Sequence, residues 1–160
     1  MSGIAVLDQK YLASCSYDKT INIWEINTGN LAKTLRGHLD WIYSLTVLNN
    51  GNLASSSLDN SIKIWNVNEG NCVLTLYGHT GPIFTLSVLN NGYLSSGSDG
   101  ATIKIWDTNI GILKQTLGPI DTIFGLTILS NGNLLSTELD QVIRIWSADN
   151  FRLIKNITAH

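Results

Sequence analysis

Short apolar runs separated by polar turn residues recur along the chain, and four of them close on a tryptophan. These are Ile21-Asn22-Ile23-Trp24, Ile62-Lys63-Ile64-Trp65, Ile103-Lys104-Ile105-Trp106 and Ile143-Arg144-Ile145-Trp146, with tryptophans 41, 41 and 40 residues apart. A fixed period near forty marks a repeat architecture, in which each unit is one supersecondary element that buries its core against its neighbours. Aligned on the tryptophans, the units are residues 1–38, 39–79, 80–119 and 120–160.

The second unit is the template. Trp41 to Leu48 is rich in β-branched and aromatic residues and reads as a strand. Asn49-Asn50-Gly51 follows, and Asn-Gly suits a type I′ hairpin turn. A small-residue strand, Asn52 to Ser57, leads to a turn at Leu58-Asp59-Asn60. The third strand is Ser61 to Val67, and Asn68-Glu69-Gly70-Asn71 turns the chain into the last, Cys72 to Leu76. The third and fourth units repeat the first turn as Asn90-Asn91-Gly92 and Ser130-Asn131-Gly132, whereas Asp8-Gln9-Lys10 makes it less strongly specified in the first. No period of 3.6 residues appears anywhere. Four strands in about forty residues make an antiparallel meander that cannot bury both its faces alone, so copies must stack. Radial stacking about an axis, which protects strand edges, predicts an all-β propeller of four four-stranded antiparallel blades.

Composition narrows the function classes. Net charge is −2 with lysines and arginines scattered singly, which leaves no electrostatic footprint for nucleic acid or an anionic membrane. No apolar run reaches membrane-spanning length. Met1 to Leu7 has a run of only four apolar residues, Ile4 to Leu7, and no basic flank, too short for a signal peptide, so the cytosol or nucleus is the expected compartment and Asn156-Ile157-Thr158 a chance glycosylation match. Cys15 and Cys72 fall in predicted strands without metal-like spacing and read as small buried apolar side chains. No cofactor loop or metal cluster is visible, and Asp99-Gly100 with Asp107 is too sparse for calcium.

His38, Ser55 and Asp59 supply a base, a hydroxyl and an orienting carboxylate, the parts of an acyl-transfer site. A structural reading explains more. The buried Trp65 indole N–H needs an acceptor, which Ser55 on the adjacent strand can supply, with His38 and Asp59 completing a network. The spacing recurs as Ser14, Asp18, Trp24 and as Ser136, Asp140, Trp146, and active sites are not normally copied once per repeat.

Gly37-His38, Ser55, Asp59 and Ile62-Lys63-Ile64-Trp65 together resemble the Trp-Asp repeat of WD-repeat β-propellers, over essentially the whole chain. The resemblance implies a structural His, Ser, Asp, Trp tetrad in each blade, complete only in the second unit. The third has His79, Ser96 and Trp106, but Gly100 stands at the Asp position. The fourth has Gly118-Pro119 instead of Gly-His, and the first lacks the His. Only Trp106 is followed by the family's Asp, at Asp107.

Four blades of a ring of seven or eight, at roughly 45–50° each, make about half a ring. The expectation is a partial propeller, from a longer chain or half of an eight-bladed ring made by a homodimer; four blades closing alone is a third arrangement. In either closed arrangement His160 could complete the tetrad of Ser14, Asp18 and Trp24.

The resemblance also implies a non-catalytic scaffold that binds protein or peptide partners through the top face of the ring. The positions implied to face it are Trp41, Tyr43, Phe84 and Phe124, with Tyr17, Leu58, Asp99 and Leu139, although Trp41 and Phe84 could instead pack between blades. A self-assembling structural ring and a Ser-His-Asp hydrolase are the alternatives.

Overall fold

The structure is a computed structural model that describes residues 2–118 and 121–158. The first blade holds β1 (Gly3–Val6), β2 (Tyr11–Cys15), β3 (Thr20–Glu25) and β4 (Leu31–Arg36). The second holds β5 (Ile42–Val47), β6 (Leu53–Ser57), β7 (Ile62–Asn66) and β8 (Asn71–Leu76). The third is β9 (Ile83–Val88), β10 (Leu94–Ser98), β11 (Ile103–Asp107) and β12 (Ile112–Leu117). The fourth is β13 (Ile123–Ile128), β14 (Leu134–Glu138), β15 (Val142–Trp146) and β16 (Leu153–Thr158). Each set is an antiparallel meander whose strands pair in chain order. The strand boundaries lie within a residue or two of those the repeat predicts.

The Asn-Gly turn differs from the type I′ expectation. In the second blade the Gly51 amide donates to Leu48 O at 2.9 Å and the Leu48 amide to Asn52 O at 2.8 Å. Of the loop residues only Gly51 has positive φ, at 83°. The connection is therefore a three-residue loop, a turn followed by a left-handed glycine. Asn50 contributes its side chain rather than its backbone, since Oδ1 accepts from the Asn52 amide at 3.1 Å. Gly92 and Gly132 close their hairpins the same way, both at φ 86°. In the first blade Asp8 Oδ1 does this work by accepting from the Lys10 and Tyr11 amides at 2.6 and 2.7 Å.

Core residues gather at the seams between blades. One cluster joins Ala13, Cys15, Ile21 and Ile23 to Ile42, Leu45, Leu53 and Trp65 of the next blade. A second joins Ile62 and Ile64 to Ile83, Leu86, Leu94 and Trp106. The third joins Ile103 and Ile105 to Ile123, Leu134 and Trp146. At each of the three seams one blade presents the two isoleucines before its tryptophan, and the following blade presents its tryptophan. Gly97 permits the closest approach, because a Cβ there would sit 2.4 Å from Ile123 Cγ2.

The inner strands run side by side in the order β1, β5, β9, β13, while among the described residues the first and fourth blades share no core cluster. Four blades closing alone is therefore not what forms; the chain is an open arc. The consequence shows in burial. Trp65, Trp106 and Trp146 are buried, while Trp24, against which no blade packs among the described residues, is only partly so. Ile4, Val6 and Ile26 lie exposed beside it, and Ile157 is exposed on the outer face of the fourth blade.

Cys15 is buried as expected, but Cys72 is exposed, correcting its assignment to the interior. Cys72 lies on the outermost strand of its blade, beside a bulge between its pairing with Trp65 and that of Leu74 with Ile64, where no further strand or blade covers it.

Candidate functional site

In the second blade four side chains form one continuous network. Trp65 Nε1 donates to Ser55 Oγ at 2.8 Å, and His38 Nε2 lies 2.7 Å from the same oxygen. His38 Nδ1 is 2.8 Å from Asp59 Oδ2, which also accepts the Leu39 amide at 2.9 Å. Asp59 Oδ1 accepts from the Ser61 amide at 3.0 Å and its hydroxyl at 2.6 Å, turning the loop on itself. Burial pushes the Asp59 carboxyl up, but the hydrogen bonds from His38, Ser61 and Leu39 outweigh it and hold it well below the usual carboxylate range. Ser55 has no exposed surface, and its oxygen is already engaged by Trp65 and His38. A substrate carbonyl cannot reach it. The resemblance to a nucleophilic triad is one of connectivity, and the arrangement is a buried brace tying loop, strand and neighbouring strand together.

The other blades carry poorer versions. In the third, Trp106 Nε1 to Ser96 Oγ at 2.8 Å and His79 Nε2 to Ser96 at 2.7 Å repeat the inner half. With Gly100 at the Asp position, the other ring nitrogen of His79 meets only Thr102 Oγ1, at 3.5 Å. Burial, reinforced by the Lys104 charge, pushes the His79 pKa down to about 3. In the first, Trp24 Nε1 donates to Ser14 Oγ at 2.8 Å, while Asp18 is occupied by the Thr20 amide and hydroxyl. Whether His160 completes that blade lies outside the described residues.

The fourth blade has a substitute that spacing did not reveal. Trp146 Nε1 donates to Ser136 Oγ at 3.0 Å, and Ser136 in turn donates to Glu138 Oε1 at 2.6 Å. Arg144 bridges Glu138 and Asp140, reaching the latter at 2.7 Å. Asp140 thus serves an arginine rather than a histidine. The signal was present in the sequence as Glu138 and Arg144 at positions held by Ser57 and Lys63 in the second unit.

The residues expected on the top face come together as an aromatic track. Tyr17 stacks on Trp41 with ring centroids 4.7 Å apart, and touches Tyr43 edge-on at 5.9 Å. Tyr43 meets Phe84 edge-on at 5.0 Å, and Phe84 stacks on Phe124 at 5.6 Å. A bulge in three of the inner strands aims these side chains: Tyr43, Phe84 and Phe124 are the unpaired extra residues of β5, β9 and β13. Tyr17, Trp41 and Phe124 are exposed, and Tyr43 and Phe84 are partly covered by their neighbours. Leu139 is 59% exposed, Leu58 is partly buried, and Asp99 accepts from Thr122 Oγ1 at 2.9 Å across the third seam. Among the described residues no group of three or more His, Cys, Asp or Glu side chains is gathered to hold a metal ion.

The sequence profile of the family described as "WD domain, G-beta repeat" matches residues 5–25, 29–66 and 70–107. The chain belongs to the WD-repeat family. Its repeats are 61% identical over 31 residues to the nuclear distribution protein PAC1 of Coccidioides posadasii, covering 19% of this chain and 7% of that protein. They are 47% identical over 36 residues to the Lissencephaly-1 homolog of Caenorhabditis briggsae, covering 22% and 9% respectively. Among solved structures, the WD40 beta propeller domain of Doa1 superposes with a TM-score of 0.84 and 29% identity. That match covers 92% of this chain and 50% of the Doa1 chain, so this WD-repeat arc spans about half of that structure and under a tenth of the curated relatives. A WD-repeat propeller fold is what the strand order, the tetrad and the family profile have in common.

Proposed function

We propose that this WD-repeat arc is a protein- or peptide-binding scaffold that engages its partner through the aromatic track of its top face. The observation that supports the reading is the unbroken contact from Trp41 through Tyr17, Tyr43 and Phe84 to Phe124, which crosses all three seams. Rigid, partly exposed aromatic rings offer a large contact area with little conformational entropy to lose. Tyr17→Ala with Phe124→Ala should abolish capture of peptides selected on the wild-type protein and leave the far-ultraviolet spectrum unchanged. Retained capture would remove the track from the binding site.

A second element of the proposal concerns the ends of the arc. Ile4, Leu12, Trp24 and Ile26 line an apolar hollow on the first blade. They are the counterparts of Leu45, Leu53, Trp65 and Val67, which pack on Ile21 and Ile23. Ile143 and Ile145 of the fourth blade are in turn the counterparts of Ile21 and Ile23. Each end therefore carries one half of an interface the chain already makes three times. Further blades of a longer chain, or a second copy making an eight-bladed ring, would cover both ends. Light scattering of the isolated chain separates them: a discrete dimer supports the second copy, whereas aggregation relieved by adding flanking blades supports the longer chain.

A further inference from the structure

We propose that the partner segment bound by the aromatic track is cationic, an extended peptide presenting arginine or lysine side chains over the rings. This inference rests on the peptide-binding reading and adds to it the chemistry of the ligand.

The loops that surround the track are β2–β3, β4–β5, β6–β7, β8–β9, β10–β11, β12–β13 and β14–β15. In sequence they carry Asp18, Asp40, Asp59, Asp99, Asp121 and Asp140 against one basic side chain, Lys19. The loops at the opposite end carry Asp8, Glu69 and Asp149 against Lys10 and Arg152, a nearly balanced set. A chain of net charge −2 thus concentrates its negative charge on the face that also carries the aromatic rings.

Three of the six carboxylates are occupied within their own blades. Asp59 is held by His38, Asp140 by Arg144, and Asp18 by Thr20. The other three flank the track. Asp40 adjoins Trp41, whose amide it accepts at 2.9 Å, and its charge acts on the Tyr43 hydroxyl. Its ion pair with Lys19 is long, 3.8 Å, and both side chains are well exposed. At the other end Asp121 accepts the Thr122 amide at 2.7 Å and Asp99 accepts the Thr122 hydroxyl, placing both two to three residues of backbone from Phe124 or across its seam. Among the described residues no lysine or arginine comes within ion-pair distance of Asp99 or Asp121.

Aromatic faces attract cations through their quadrupole, and a carboxylate at the ring edge adds a charge-assisted hydrogen bond to the same cation. An acidic segment would meet repulsion at both ends of the track. A purely apolar one would desolvate Asp99 and Asp121 with no counter-charge and Asp40 with only its long pair to Lys19.

The test uses a fluorescein-labelled peptide of about ten residues alternating alanine and arginine, with glutamine and glutamate versions as controls, at low and physiological salt. The arginine peptide is expected to bind at least about tenfold more tightly than the glutamine one, with affinity falling as salt rises. Asp40→Asn/Asp99→Asn/Asp121→Asn should lose about tenfold in affinity for it, since each lost contact is charge-assisted. Asparagine retains an oxygen for the Trp41 and Thr122 amides, and a thermal melt confirms folding; Asp99→Asn alone serves if the triple variant does not fold. Equal binding of the arginine and glutamine peptides, or full affinity in the variant, overturns the proposal. Selection from an unbiased peptide library distinguishes the two levels. Binders that depend on Phe124 but carry no excess of arginine or lysine overturn the cationic partner and leave the binding face standing. Binders indifferent to Phe124→Ala, or no binders at all, overturn both.

Discussion

Ser136 donates its hydroxyl hydrogen bond to Glu138 Oε1 at 2.6 Å, taking up with a carboxylate the position that His38 and His79 take up beside Ser55 and Ser96. Glu138 is fully buried at its side chain and is balanced by Arg144, which is 14% exposed. The fourth blade therefore replaces an imidazole by an ion pair, and the acceptor needed beneath the Trp146 indole is preserved.

Breaking that pair from one side should be costly. Arg144→Ala leaves Glu138 buried without a counter-charge, and a loss of about 3–5 kcal/mol is expected in denaturant unfolding. Glu138→Ser with Arg144→Lys installs the residues of the second and third blades and should recover much of it, giving a clear coupling energy in a double-mutant cycle. Additive effects would show that the two side chains act independently.

His38→Ala should lower the melting temperature because it strips a partner from Ser55 and from Asp59 together. A buried group left unsatisfied costs about 1–3 kcal/mol. Asp59→Ala in the His38→Ala background should then add less than it does alone. An unchanged melting temperature would count against the network as a stabilising element.

His79 makes stability depend on pH. Its folded pKa of about 3 lies below the ordinary 6.5, so between those values the unfolded chain binds the proton and the folded chain does not. Stability is full above pH 6.5 and falls as pH drops towards 3, by at most about 1.4 kcal/mol per unit. Gly100→Asp would supply the missing carboxylate, raise the His79 pKa and flatten this dependence, once Thr80 Oγ1, 2.7 Å from the new Cβ, turns aside. Melting curves from pH 7 to 5 for wild type, His79→Gln and Gly100→Asp check the assignment; parallel slopes would exclude it.

The two thiols should react differently. Burial pushes the Cys15 thiol up and shields it, whereas Cys72 is exposed. Ellman's reagent should titrate one thiol in the native protein and the second only after denaturation.

The strand order and the tetrad of the second blade were legible because they rest on local periodicity. Ile62, Ile64 and Trp65 alternate as a strand requires, and Ser55 precedes Trp65 by the number of residues that a hairpin needs to set them side by side. The turn type was less legible. Asn50 and Gly51 suit two hairpin geometries, and the cross-strand hydrogen bonds of Leu48, not the residue types, select the three-residue loop. Cys72 was misplaced for a similar reason: composition gives a thiol's preference for burial, but not whether anything covers the outermost strand.

What the sequence by itself determined is the blade, since each blade is made from contacts within about forty consecutive residues. What only the tertiary structure decided is everything that depends on how blades meet. It placed the isoleucines of one blade on the tryptophan of the next, left the first blade and the fourth without a common core among the described residues, and joined Trp41, Tyr17, Tyr43, Phe84 and Phe124 into one surface. The substitution of Glu138 and Arg144 for a histidine lies within one blade, and its sequence signal gains its meaning only once the side chains are placed against Ser136 and Asp140. Those contacts depend on rotamers, bulges and the angle between sheets, quantities that no spacing along the chain encodes.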